Sequence, residues 1–350
     1  MDSKLLQSLW NESIKPQVFG NTTQSENPTT VFLGGQPGAG KTKGQAIIKR
    51  QFGSKRIAQI VGDDFRLFHP DYRHLLETDP LRMPEVTAPA AGAWVRMSVQ
   101  YAHENQISCI IEGTWRNPDT VLNTASEAKA LGRATRAVLV AVPPALSLTG
   151  IAERFYRDML GGKPARWTPP TAHDETIKNL TNTVRLILTP ENAQSLMDEV
   201  TITNRQGELL YSGVPRQAAV QVFVENFERK LALPEARLIT DTLPVLEAGH
   251  HRFTANNLSA AKVIDRIRQS IGEAPQWEAQ IKPQTRKDLG SSIKERSKAK
   301  MEACQSGQRE DKSLGKPTKP QRDKHGQRWT GSKLVELNTR GRTYNRRCVR

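Results

Sequence analysis

The sequence predicts an α/β fold in which a mostly parallel sheet carries helices on both faces, followed by a C-terminal helical region and a basic tail. Three observations predict it. Short apolar runs of strand length alternate with longer helical segments, the mark of parallel strands joined by crossover helices. Three of those runs end in polar or glycine-rich stretches, Gly35–Thr42, Gly62–Arg66 and Glu112–Arg116, and the carboxyl ends of parallel strands are where ligands bind. Charge is the third: of 51 Lys+Arg and 36 Asp+Glu, residues 281–350 hold 20 and 7, so they carry +13 of the net +15.

The elements follow in order. Residues 1–24 read as a cover helix over Lys4–Glu12 leading into a polar linker, Asn21–Asn27. Val31–Gly35 is a buried strand candidate and Lys41–Phe52 a helix. Arg56–Val61 is the second strand, and Ala88–Gln106 a helix with Trp94, Met97, Val99 and Tyr101 at helical spacing. Ile107–Ile111 is the third strand, Asn117–Gly132 a helix with a glycine stop, and Ala137–Val142 the fourth strand. Helices are predicted over Pro144–Leu160 and Thr171–Leu188, and a hairpin over Glu199–Ser212 around Arg205-Gln206-Gly207-Glu208. Beyond Gly213 the alternation stops; Arg216–Leu231 reads as a helix, and a looser, mainly helical region runs to about residue 280. From Ile281 onward Lys, Arg, Gln, Ser, Gly and Pro dominate, a composition that favours disorder. The domains expected are therefore 1–24, 25–215, 216–280 and 281–350.

No stretch is apolar for the roughly eighteen residues a membrane span needs, and the N-terminus lacks a signal-peptide apolar core, so the expected compartment is the cytoplasm. Cys109, Cys304 and Cys348 are odd in number and widely spaced, which excludes a disulfide framework and a zinc-ligand set. Cys109, within an apolar run, reads as a small buried hydrophobe.

The chemistry begins at Gly35-Gln36-Pro37-Gly38-Ala39-Gly40-Lys41-Thr42, which has the Walker A spacing. Glycines let backbone N–H groups crowd a phosphate without Cβ clashes. The helix starting near Gly40 aims its free N–H groups and positive dipole end at the anion. Lys41 would reach the β- and γ-phosphates, and the Thr42 hydroxyl would ligate Mg²⁺. An Asn-Lys-x-Asp base-reading motif is missing, and the third strand ends in Glu-Gly-Thr instead of an ATPase-type acidic pair. What fits is a kinase for a small acceptor, which needs a carboxylate to take the acceptor proton and cations to hold the phosphoryl charge. Asp63 or Asp64 can be that base, with a helix N-cap the competing role for Asp64. Arg154 and Arg166 can be the cations, because a guanidinium grips phosphate oxygens bidentately, although any one arginine in a basic chain can equally be a solvated surface group.

Taken together, Gly34–Thr42, Gly62-Asp63-Asp64-Phe65-Arg66 with His69-Pro70, Ile111-Glu112-Gly113-Thr114, and Ala165-Arg166-Trp167-Thr168-Pro169 with Ala172-His173-Asp174 resemble the zeta toxin family over roughly residues 25–215. Asn204-Arg205 before a turn fits as well. The resemblance implies a kinase that moves the γ-phosphate of ATP or GTP to the 3′-hydroxyl of the amino sugar of UDP-N-acetylglucosamine. It further implies a toxin that blocks peptidoglycan synthesis and is restrained by an antitoxin. By position, Lys41 and Thr42 would hold nucleotide and Mg²⁺, Asp63 would be the base, and Glu112, Thr114 and Arg116 would meet the sugar nucleotide. Arg154 and Arg166 would embrace the γ-phosphate. Asp64, where relatives often carry Ser or Thr, and the bulky Trp115 and Trp167 depart from the pattern and bear on the shape of the sugar pocket.

Other readings keep the fold and change the acceptor to another small molecule, or make the chain a nucleotide-sensing nucleic-acid-binding protein. Residues 216–280 could be an inhibitory segment in cis or a packing module. The tail could make nonspecific polyanion contacts through counterion release, since Trp329 and Tyr344 are its only aromatics.

Overall fold

The computed structural model describes residues 1–53, 57–189 and 195–272. The tail from Ile281, with Cys304 and Cys348, lies outside the described residues. Six strands form one sheet: β1 (Thr29–Gly34), β2 (Ala58–Val61), β3 (Cys109–Gly113), β4 (Ala134–Val140), β5 (Glu199–Thr203) and β6 (Leu209–Gly213). Their order is β2-β3-β1-β4-β5-β6. The first five are parallel, with Thr30 opposite both Cys109 and Thr135, and β6 returns antiparallel as the expected hairpin.

All six β1 residues are buried, which is why the strand reads as an unbroken apolar run instead of an alternating one. Val31 and Leu33 belong to one core, with α3 (Lys41–Phe52) and α8 (Pro144–Leu160). Phe32 points to the other, with α7 (Pro118–Ala130), α9 (Pro170–Leu188) and α10 (Gln217–Glu228). Helices thus cover both faces, and the glycine loop leaves the middle of the sheet with the β2 and β3 ends beside it.

The N-terminal helix is longer than expected. α1 (Ser3–Leu9), a π-helical turn at Trp10–Ile14 and α2 (Lys15–Phe19) run on as one cover, burying Trp10, Ile14 and Phe19 against Trp94. The Trp94 indole donates to the Leu6 carbonyl at 3.0 Å. Short α4 (Gly62–Phe65) and α5 (Tyr72–Thr78) precede α6, which begins at Met83, five residues ahead of the expected start, and ends at Glu104. Pro84 falls in its first turn, where a missing N–H costs nothing, but Pro89 lies inside the helix, and a proline there removes a bond to the preceding turn. Burial of Ala90, Ala91 and Trp94 outweighs that loss.

The region after Gly213 is more regular than a loose one: α10 is followed by α11 (Leu233–Gly249) and α12 (Leu258–Gly272). Their Ile239, Leu246, Val263, Ile264, Ile267 and Ile271 enter the same core as Val31 and Leu33. At Gly249 a β-carbon would lie 2.6 Å from the Tyr156 ring, so the backbones of α11 and α8 approach as closely as a glycine allows. Among the described residues no helix is long and apolar enough to cross a membrane.

Toward the opposite end of the strands, Arg133 is 3% exposed and donates to the Thr30 hydroxyl at 2.8 Å and the Ile107 carbonyl at 2.6 Å. His103 stands 3.4 Å from the same hydroxyl. Cys109 is a buried free thiol, as its run suggests, and burial pushes its pKa up.

Candidate active site

The loop after β1 is shaped by its glycines. Gly38 has φ +78°, and a β-carbon there would stand 2.1 Å from the Ser147 carbonyl at the start of α8. Gly40, at φ +91°, turns the chain into α3. Lys41 Nζ folds onto the loop, donating to the carbonyls of Gly35 at 3.0 Å and Gln36 at 3.3 Å, with Glu112 Oε1 at 3.8 Å. Burial lowers its pKa, and the charges of Glu112 and Asp63 offset only part of that. Not every residue of the motif faces the cleft. Gln36 is fully buried and donates to the Val142 carbonyl at 2.6 Å, while Ala39 belongs to the core.

At the end of β2 the two aspartates separate. Asp63 lines the cleft and Asp64 does not. Neither caps α4, so the N-cap role for Asp64 is not realised. Asp63 Oδ1 accepts from Arg66 Nε at 3.0 Å, and its Oδ2 lies 3.4 Å from Arg166 Nη2. Burial alone would raise the Asp63 pKa, but Arg166, Arg66 and Lys41 outweigh it and hold the carboxyl below its ordinary value. Arg66 is itself fixed from α6, where its Nη1 donates to the Pro84 carbonyl at 2.6 Å and the Thr87 hydroxyl at 2.8 Å.

β3 delivers Glu112, whose Oε2 accepts from Gln45 on α3 at 2.6 Å, and then Thr114 and Arg116. Between them Trp115, at φ +58°, swings into the second core and lies over Gly34, where a β-carbon would come within 2.6 Å of its ring. Trp115 is therefore a core residue and does not shape the pocket. Trp167 does line it, braced edge-on by Phe155 at 4.9 Å. Arg154 comes from α8 and Arg166 from the segment before α9, with Arg154 Nη2 donating to the Thr168 hydroxyl at 3.3 Å. Burial, then the like charge of Arg166, presses the Arg154 pKa down. Two guanidiniums held side by side in this way are relieved by an anion between them.

The cleft these elements enclose measures about 380 Å³, and Lys41, Thr42, Asp63, Glu112, Thr114, Arg116, Arg154 and Arg166 all line it with Pro37, Gly38 and Gly40. A second recess of about 240 Å³ runs along α6 and shares Lys41, Asp63, Arg66, Glu112, Thr114 and Arg116. Five cationic side chains and two carboxylates face the cleft, a balance that suits anionic ligands on both sides of Asp63. No residue from α10, α11 or α12 lines either recess. Among the described residues no cluster of three His, Cys, Asp or Glu could hold a metal. A Mg²⁺ ion in a phosphate cradle would need none, since it takes one hydroxyl, phosphate oxygens and water, and Thr42, which lines the cleft, could offer the hydroxyl.

The family model described as "Zeta toxin" matches residues 14–214. The chain belongs to the zeta toxin family. Toxin zeta of Streptococcus pyogenes is 26% identical over 272 residues, 77% of this chain and 90% of the relative. Toxin zeta of Enterococcus hirae is 28% identical over 250 residues, 70% and 83%. Toxin PezT of Streptococcus pneumoniae is 30% identical over 188 residues, 53% and 72%. Among solved structures, one from the PezAT chromosomal toxin–antitoxin system of S. pneumoniae aligns with a TM-score of 0.59 at 23% identity, covering 72% of this chain and 98% of that one, and shares the fold. The zeta-type phosphate loop on this sheet, with its strand-end carboxylates and paired arginines, makes the chain a kinase-type enzyme of the family.

Sequence reasoning assigned no role to Arg66, Gln45 or Arg205. Arg66 stood in the quoted Asp-x-Phe-Arg motif and Arg205 beside its turn, so both were visible as residues, but the atoms they hold are brought to them by other elements. Gln45 lies one helical turn after Lys41, a spacing that places both on the same face of α3.

Proposed function

We propose that the protein transfers the γ-phosphate of ATP or GTP to the 3′-hydroxyl of the amino sugar of UDP-N-acetylglucosamine, and that this makes it a growth-arresting toxin of the cytoplasm. The observation that carries the reading is the place of Asp63, on the wall common to both recesses, 3.4 Å from Arg166 and facing the Lys41 side. The glycine loop, Lys41 and Thr42 take the donor's phosphates, with Thr42 as the protein's ligand to Mg²⁺. The metal, when bound, neutralises charge on the β- and γ-oxygens.

The acceptor occupies the recess along α6. Glu112 and Thr114 hydrogen-bond the sugar there, and Arg116 meets its diphosphate; two cations on this side, Arg66 and Arg116, are what an acceptor that is itself anionic requires. Asp63, ionised at neutral pH, accepts the hydroxyl proton as the sugar oxygen bonds to the γ-phosphorus. The bond from that phosphorus to the β,γ-bridging oxygen breaks, and nucleoside diphosphate leaves. Arg154 and Arg166 hold the equatorial oxygens of the transferring group. By analogy with the PezAT system, the partner that restrains it is an antitoxin supplied in trans.

The test is mass spectrometry of the full chain with Mg·ATP and UDP-N-acetylglucosamine beside an Asp63→Ala control. Gain of one phosphate on the sugar nucleotide, absent in the control, is the expected result. Phosphorylation of other acceptors but not this one overturns the substrate assignment.

A further inference from the structure

Arg205 follows β5 in the turn Asn204-Arg205-Gln206-Gly207, and the turn's own chemistry fixes it. The Asn204 carboxamide oxygen accepts from the backbone N–H of Gln206 at 3.0 Å and of Glu208 at 2.9 Å, and Gly207 at φ +85° closes the loop. The carbonyl of Thr203, just before it, accepts from the N–H of Ala141, the residue after β4, at 2.8 Å. From this anchored position the side chain crosses to the phosphate loop. Its Nη1 donates to the Gly38 carbonyl and, at 3.4 Å, to the Leu146 carbonyl on α8.

The space the guanidinium fills is defined by a missing side chain. A β-carbon on Gly150 would lie 2.6 Å from Arg205 Nη2, 3.1 Å from Nη1 and 3.1 Å from the Gly38 oxygen. Gly150 also lines the cleft, one turn before Arg154. Three elements therefore meet at one point, the loop crest, α8 and the β5–β6 turn, and the arginine is what joins them.

We infer that Arg205 is a positioning residue for the donor nucleotide: seated against Gly150, it captures the Gly38 carbonyl and so fixes the crest of the phosphate loop. A carbonyl free to turn inward would set its oxygen against phosphate oxygens; a guanidinium that holds it outward removes that repulsion and adds a positive charge behind the loop. Neither the loop motif nor the pair Arg154 and Arg166 requires such a residue. The inference rests on the donor being a nucleoside triphosphate, as proposed above.

The experiment is calorimetric titration of the full chain with Mg·ATP and with Mg·GTP, without acceptor. Arg205→Gln is expected to weaken the preferred nucleotide about tenfold or more, the loss of a hydrogen bond from a charged donor, while the melting temperature stays near that of the parent. Arg205→Lys, which keeps the charge but loses the fork, falls between. Gly150→Ala favours the helix on propensity, yet it weakens nucleotide in the parent by displacing the guanidinium and adds much less in the Arg205→Gln background. Affinity of Arg205→Gln within about twofold of the parent overturns the inference, as does an equal effect of Gly150→Ala in both backgrounds. Should Arg205→Gln fail to fold, Gly150→Ala alone decides, and unchanged affinity overturns it. The parent's own affinity tests the kinase reading, whereas the ratio of variant to parent tests Arg205.

Discussion

On the proposed mechanism, replacing Asp63 by Asn separates catalysis from stability, because the two effects differ widely in size. The amide keeps the shape and still reaches Arg66, but it cannot take a proton, and a positioned general base contributes about 10²–10⁴ in rate, or roughly 3–5 kcal/mol of barrier. The stability term is smaller. Asp63 is 52% exposed, so its pairs with Arg66 and Arg166 are screened and worth at most about 1 kcal/mol together. Its folded pKa lies below the unfolded value, which means that this stabilisation is fully present at neutral pH and is lost only as pH falls below the ordinary carboxylate range. At pH 7 the variant should therefore lose at least about a hundredfold in phosphotransfer while its melting temperature moves by no more than about 4 °C. Initial rates of acceptor phosphorylation and thermal unfolding in the same buffer measure both. Retention of more than about a tenth of the activity would refute the role of Asp63. So would unfolding as severe as the loss of rate.

Gly38→Ala puts an alanine at φ +78° with its β-carbon 2.1 Å from the backbone oxygen of Ser147, which costs about 2–5 kcal/mol in left-handed strain and overlap; thermal unfolding should show that loss and no upward shift on adding Mg·ATP. His103 and His173 both have pKa values lowered to about 4, by burial first, reinforced at His103 by Arg133 and opposed at His173 by Asp174. The unfolded chain binds their protons first, so stability should fall as pH drops from about 6.5 to 4, by up to about 2.7 kcal/mol per pH unit for two protons. Denaturant titrations across that range check it, and His173→Gln should roughly halve the slope. A chain ending at Gly213 should be insoluble and no more toxic than the parent: Leu231, Ile239, Leu246, Val263, Ile264, Ile267 and Ile271 leave the core with it, about 10–20 kcal/mol of burial against a typical total of about 5–15. A folded, more toxic truncation would instead support inhibition in cis.

The glycine loop after β1 was legible because its left-handed turns at Gly38 and Gly40 constrain the backbone, and backbone constraints appear as glycine spacing. The start of α3 at Lys41 follows from the same motif, and the β5–β6 hairpin follows from its Arg-Gln-Gly-Glu turn. Prolines misled where packing overrides propensity. α6 contains Pro89 and α11 contains Pro244, and local rules break a helix at both, but the apolar faces they carry hold each helix together. The direction of Trp115 was illegible for another reason: it depends on Gly34, a neighbour across the sheet that leaves room for the indole. Arg154 and Arg166 were candidates on guanidinium chemistry, but only the family pattern singled them out from the chain's other arginines. Nothing in their spacing says that α8 and the segment before α9 meet.

Two kinds of partner let so much like charge be kept in one place: in the cleft Arg66 and Arg166 meet Asp63, and Lys41 has Glu112 at 3.8 Å. Neutral acceptors do the rest: Lys41 also donates to two loop carbonyls, Arg154 to the Thr168 hydroxyl, and Arg205, behind the loop and outside the cleft lining, to the carbonyls of Gly38 and Leu146. These acceptors orient a cation without cancelling it, whereas carboxylates take up part of the charge of Arg66 and Arg166 in the cleft, and of Arg229 and Arg268 away from it. Field preserved in this way is available to a transferring phosphoryl group, whose charge the donors meet without reorganising. The two carboxylates that do enter the cleft, Asp63 and Glu112, both line the recess along α6 as well. On the proposed mechanism, negative charge is thus admitted where a hydroxyl would lose its proton and a sugar would be hydrogen-bonded. Against the donor phosphates it would only repel.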